Sequence, residues 1–116
     1  MQHRDNVILK KINSELSLAL DMLCGVSFND FDENEVLKRA VCMTVINIGE
    51  LVKNLSEELR KEHSHIPWKF IAGFRDVAAH KYQTLKMKDV YKIVFEDFPE
   101  LKSNIDKILS SEALSN

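Results

Sequence analysis

The chain is poor in residues that interrupt helices: its 116 residues include three glycines and two prolines. That scarcity excludes an all-β architecture, which needs a turn signal every ten residues or so. Long hydrophobic runs are also missing, and no apolar stretch approaches the ~18–20 residues of a membrane span. The opening MQHRDNVILKK has no apolar segment followed by a small-residue cleavage site, so the expected location is the cytoplasm. There are only two cysteines, Cys24 and Cys42, set in apolar surroundings without metal-site or redox spacing. The simplest expectation is that both are buried thiols in a reducing compartment. A glycine-rich phosphate loop is absent, and the net charge of −2 does not announce a nucleic-acid binder.

What the chain does have is 45% hydrophobic residues in helical periodicity, enough for one domain with a real core. Ile8, Ile12, Leu16, Ala19, Leu20 and Leu23 recur at steps of three and four, predicting a helix from Asp5, its expected N-cap, to Leu23, with Gly25 in a left-handed position just beyond. Phe28 and Phe31 then plug a short helical turn onto the core. A second, long helix is expected over 34–62, opened by Asp32 with Glu35 as a capping box and carrying an apolar stripe from Leu37 to Leu59. Within it Gly49 costs about 1 kcal/mol relative to Ala. Either a close helix crossing or simple tolerance accounts for it.

Pro67 is expected at the first position of a third helix that ends near 80–82, with Trp68 a buried anchor. A fourth covers about 86–96 with Met87, Val90, Tyr91, Val94 and Phe95 inward. Asp97 and Pro99 open a fifth, to about Leu109. Met22, Met43 and Met87 read as core filler. The expected architecture is all-α: one up-and-down bundle of about five helices over 1–110, with a frayed tail over 111–116.

Charge is unevenly spread. Residues 28–62 hold eight acidic groups against five basic, whereas 69–92 hold six basic groups, Lys69, Arg75 and Lys81 among them, against Asp76 and Asp89. Such a basic stretch either seats a phosphate chain or is a solvated lysine-rich face. The densest functional cluster lies inside it: Arg75-Asp76-Val77-Ala78-Ala79-His80-Lys81-Tyr82. On a helix Asp76 and His80 are neighbours, Arg75 and Tyr82 share a face, and Arg75 and His80 stand about 140° apart. They reach one ligand if the helix end unwinds, if both reach into a shared groove, or if two copies meet across an axis. These residue types suit RNA cleavage without a metal. Histidine moves protons near neutral pH, a permanently charged guanidinium stabilises the phosphoryl group, and Asp76 can orient His80. Surface charge pairs at a helix C-terminus are the other reading of the same residues. His63-x-His65 has neither the spacing nor the third ligand of a metal site.

The segment Ile66-Pro67-Trp68-Lys69-Phe70-Ile71-Ala72-Gly73-Phe74-Arg75-Asp76-Val77-Ala78-Ala79-His80-Lys81-Tyr82, with its Arg75-x4-His80-x-Tyr82 pattern, resembles the signature of HepT-like proteins, a branch of the HEPN superfamily. Arg4-Asp5, Ile48-Gly49-Glu50, Leu55–Arg60 and Asp97–Leu101 resemble corresponding stretches, so the likeness spans about 4–109. It implies a HEPN-like homodimer whose two motifs face one another across a cleft. It further implies a metal-independent endoribonuclease, without cofactor, acting as the toxin of a type VII toxin–antitoxin pair. The implied partner is an MntA-type minimal nucleotidyltransferase antitoxin that transfers AMP onto the motif tyrosine, Tyr82. Arg75 and His80 are then catalytic, with Asp76 supporting and Lys81 and Lys69 contacting RNA. The polar candidates on the neighbouring helix are Thr44, Asn47 and Glu50, of which Glu50 and Asn47 are chosen as supporting groups. A non-catalytic HEPN module that scaffolds its partner or binds RNA without cutting it is the alternative.

Overall fold

A computed structural model describes residues 1–80 and 86–115, with side chains described except at 76–80 and 113–115. Its elements are α1 (His3–Leu23), α2 (Phe28–Glu33), α3 (Glu35–Lys53), α4 (Glu57–Glu62), α5 (Trp68–His80), α6 (Met87–Lys92), a π turn (Ile93–Asp97) and α7 (Phe98–Ser115). No strand occurs among the described residues, and the all-α bundle expected from the periodicity is what forms. α3 packs against α5 on one side and α1 on the other, and α1 packs against α7. This explains the broad apolar face of α3: Val41, Val45, Ile48 and Val52 are buried while serving two neighbours. Gly25 adopts φ +72, the left-handed position expected after α1.

The expected long second helix is broken into α3 and α4. Ser56 is the reason. Its Oγ accepts from the Leu59 N–H at 3.2 Å and caps α4, while its own N–H and hydroxyl donate to Asp5 at 2.9 and 2.6 Å. Asp5 is therefore not an N-cap; that position belongs to Gln2, and Asp5 lies in the first turn of α1, only 2% exposed. One carboxylate thus ties the start of α1 to the start of α4. The α2–α3 junction is corrected in the same way, since Asn34, accepting from Leu37 N–H, caps α3, and Asp32 lies inside α2. Phe31 is fully buried, as expected of the plug. It packs by Tyr91, whose hydroxyl donates to the Val26 carbonyl at 2.7 Å.

Toward the C-terminus the expected restart at Asp97 does not occur. Proline lacks an N–H and crowds the carbonyl four residues back, and Pro99 is accommodated by a widened turn in which Phe98 N–H bonds the Ile93 carbonyl. Helical backbone then continues to Ser115, past Leu109. Asp97 lies in that turn. Partial burial, and then the neighbouring Glu96 and Glu100, push its carboxyl above the usual range, with Lys92 opposing.

Three side chains depart from expectation. Phe95 and Met43 are exposed rather than inward, Phe95 with one face of its ring against Tyr91 at a centroid distance of 4.6 Å. Cys24, at the C-cap of α1, is exposed, whereas Cys42 is buried and its thiol pKa is raised chiefly by that burial. Trp68 is buried as expected, its indole N–H donating to the His63 carbonyl at 3.1 Å.

Candidate active site at the crossing of α3 and α5

The two open readings of Gly49 resolve in favour of a close crossing. A Cβ built on Gly49 would stand 2.8 Å from the backbone nitrogen of Arg75, 2.9 Å from its Cβ and 3.2 Å from the Ala72 carbonyl. Any side chain would force the helices apart. The glycine lets α3 approach α5 at Arg75 itself and so fixes where that residue sits.

The next residue along α3 completes the arrangement. Glu50 Oε2 lies 2.6 Å from Arg75 Nε, with the two side chains 52% and 36% exposed. An ion pair that open to water contributes about 0–1 kcal/mol to stability. Its consequence is orientation. A carboxylate on Nε fixes the plane of a guanidinium that stays charged at all relevant pH and carries its donors in a rigid fork suited to phosphate oxygens. Asn47, one turn before Glu50, lies on the α1 side, where both border a groove of about 380 Å³ with Lys11 and Glu15. Thr44 is spent on its own helix, its hydroxyl donating to the Ala40 carbonyl at 2.9 Å.

α5 remains helical through His80. The backbone therefore does not unwind between Arg75 and His80, and the two keep the separation of about 140° set by helical geometry. Asp76 and His80 occupy adjacent turns of one face. Their side chains, and Lys81 and Tyr82 altogether, lie outside the described residues. Lys69 stands apart from Arg75, in an open groove of about 800 Å³ between α4 and the start of α5, bordered also by Arg60, Lys61 and Phe70. Sequence reasoning passed over Arg60, Lys61 and Phe70, because they fall in two segments whose approach depends on the α3–α4 break. Among the described residues no three His, Cys, Asp or Glu side chains gather to hold a metal ion.

The molecule is a helical bundle that holds an arginine between a glycine crossing and a carboxylate, on the helix that also carries His80. Comparison with known proteins narrows the class. The family model for HepT-like ribonucleases matches residues 12–108, and the chain belongs to that family. It is 38% identical over 104 residues to a Caldanaerobacter subterraneus protein named as a candidate RNase, covering 90% of this chain and 93% of that one. It is 30% identical over 106 residues to a Thermococcus cleftensis protein named as a candidate HepT ribonuclease, covering 91% and 94%. A longer Methanocaldococcus jannaschii protein, whose name joins gamma-glutamylcyclotransferase to a candidate RNase, is 38% identical over 103 residues. The match takes in 89% of this chain but only 46% of that longer relative. No solved structure matches the chain significantly.

Proposed function

We propose that the protein is a metal-independent endoribonuclease and the toxin of a toxin–antitoxin pair. The observation that carries this reading is the clamped guanidinium of Arg75 in a chain of the HepT-like ribonuclease family. Arg75 stabilises the charge that builds on the phosphoryl group, and His80 takes the 2′-hydroxyl proton or returns one to the leaving 5′-oxygen. Asp76, one turn before His80, orients the imidazole. Glu50 positions Arg75, Asn47 supports the same turn of α3, and Lys69 and Lys81 contact RNA phosphates.

Because the helix holds Arg75 and His80 about 140° apart, a homodimer whose two copies of α5 face one another supplies both groups to one phosphate more readily than a single chain does. Adenylylation of Tyr82 by an MntA-type nucleotidyltransferase would add phosphate charge beside the motif and compete with RNA.

The test is RNA cleavage in EDTA by partner-free protein whose intact mass shows no adduct. Wild type is expected to cut, and Arg75→Ala and His80→Ala each to lose about a hundredfold or more. If unmodified wild type cuts no RNA class, the ribonuclease reading falls and the non-catalytic binding module replaces it.

A further inference from the structure

We propose that the groove between α4 and the first turns of α5 is a nucleotide subsite, seating one residue of the RNA strand away from the scissile bond. The inference rests on the ribonuclease reading above and adds to it where the strand runs. Arg60, Lys61 and Lys69 border the groove against the single carboxylate of Glu57, a local charge of +2. Phe70 stands at its edge, 58% exposed, touching Phe74 edge-to-face with ring centroids 5.0 Å apart. Exposed phenyl surface beside clustered cations is what a single-stranded nucleotide needs: a base stacks on the ring and the phosphate takes charge-assisted hydrogen bonds.

Two further observations point outward from the chain. Arg60 Nε is buried and has no hydrogen-bond partner among the described residues. A buried donor left so is costly, and a bound phosphate would draw the guanidinium into use. Gly73 is the second. It sits mid-helix at a cost of about 1 kcal/mol relative to Ala, yet a Cβ there would meet nothing within 4 Å among the described residues. Unlike Gly49, it has no neighbour within the described chain that requires it. Lys69, Gly73, Asp76 and His80 follow one another at steps of four, three and four, so they form one stripe of α5. The bare backbone at Gly73 thus lies between the groove and His80, on a path of about 16 Å along the helix axis. An extended strand of a few nucleotides spans that length, with its backbone against the glycine.

The test is binding, measured by fluorescence anisotropy, of a labelled 12-nucleotide 2′-O-methyl RNA of mixed sequence. Such an RNA cannot be cleaved, so binding is read apart from catalysis. Phe70→Ala and Lys61→Glu are each expected to weaken binding about five- to tenfold, with self-association by light scattering unchanged. Two variants are used because Phe70 also touches Phe74. If both bind within twofold of wild type, the subsite is overturned even where wild type cleaves RNA. If both weaken self-association and leave RNA binding unchanged, the groove is an interface between copies and the inference is again wrong. If both weaken binding while wild type cuts nothing, the subsite stands and the catalytic reading is what fails.

Discussion

Two of the polar joints between helices in this bundle are equally short. Asp5 accepts the Ser56 hydroxyl at 2.6 Å, and Glu50 meets Arg75 Nε at 2.6 Å. Asp5 is 2% exposed, whereas the Glu50 side chain is 52% exposed. Distance is therefore a poor guide to what a contact does. A buried carboxylate that takes two donors is required for the fold, because removing it strands both donors away from water. A half-exposed carboxylate can be exchanged for water at little cost, so stability alone does not account for its place beside an arginine.

The sharpest test of that contrast is the buried joint. Asp5→Ala is expected to destabilise the protein by about 3 kcal/mol, since the Ser56 N–H and hydroxyl both lose their acceptor. A fall in Tm of roughly 10 °C or more should appear in thermal denaturation followed by circular dichroism. A loss within about 0.5 kcal/mol would mean that water replaces the carboxylate and that the two joints do not differ in kind.

The glycines sharpen the comparison at the other joint. Gly49→Ala places a methyl group against the Arg75 backbone, which cannot swing aside, and about 2 kcal/mol should be lost to overpacking. Cleavage should fall with it, because Arg75 is displaced. Gly73→Ala has the opposite sign. No contact among the described residues opposes it, so stability should rise by about 0.5–1 kcal/mol while RNA affinity drops. Urea unfolding of both variants beside wild type checks the pair of signs. A destabilised Gly73→Ala would mean that the chain itself, and not a ligand, needs that glycine.

Most of this bundle was legible in the sequence because helical periodicity is a local property. The apolar steps through Ile8, Ile12 and Leu16 and through Val41, Val45 and Ile48 specify helix and buried face together. The boundaries that misled were set by distant or competing atoms. Ser56 reads as one more residue in a helical pattern until Asp5, 51 positions away, binds it. Pro99 reads as a helix start, because a preceding Asp97 offers a cap, until the buried Val94 and Phe98 hold the backbone in a helical path and the proline is absorbed by a wider turn. At the candidate site, Arg75 stood out by residue type within its cluster, whereas Glu50 could be named, beside Asn47, only once the family resemblance pointed to the neighbouring helix. That Gly49 joins them could only be posed as one of two readings, since a glycine in a sequence does not say whether anything approaches it. The groove at Lys69 was invisible beyond that lysine, because α4 comes beside α5 only through the break at Ser56.

The smallest expected change in stability carries the most information about the site. Glu50→Gln keeps the size of the side chain and removes its charge, and the pair it breaks is half in water. Unfolding free energy should therefore stay within about 0.5 kcal/mol of wild type. Activity should not stay. In the proposed ribonuclease, losing the carboxylate on Nε loosens the orientation of the guanidinium, and a misplaced catalytic group loses on the order of tenfold or more. A positioning role predicts that the loss appears mainly in kcat, with KM for RNA little changed, since the cation is still present to attract the strand. A loss confined to KM would make Glu50 part of the binding surface instead. A fall in stability matching that of Asp5→Ala would make the exposed joint structural after all, and Arg75 would then be held by Glu50 for the sake of the bundle.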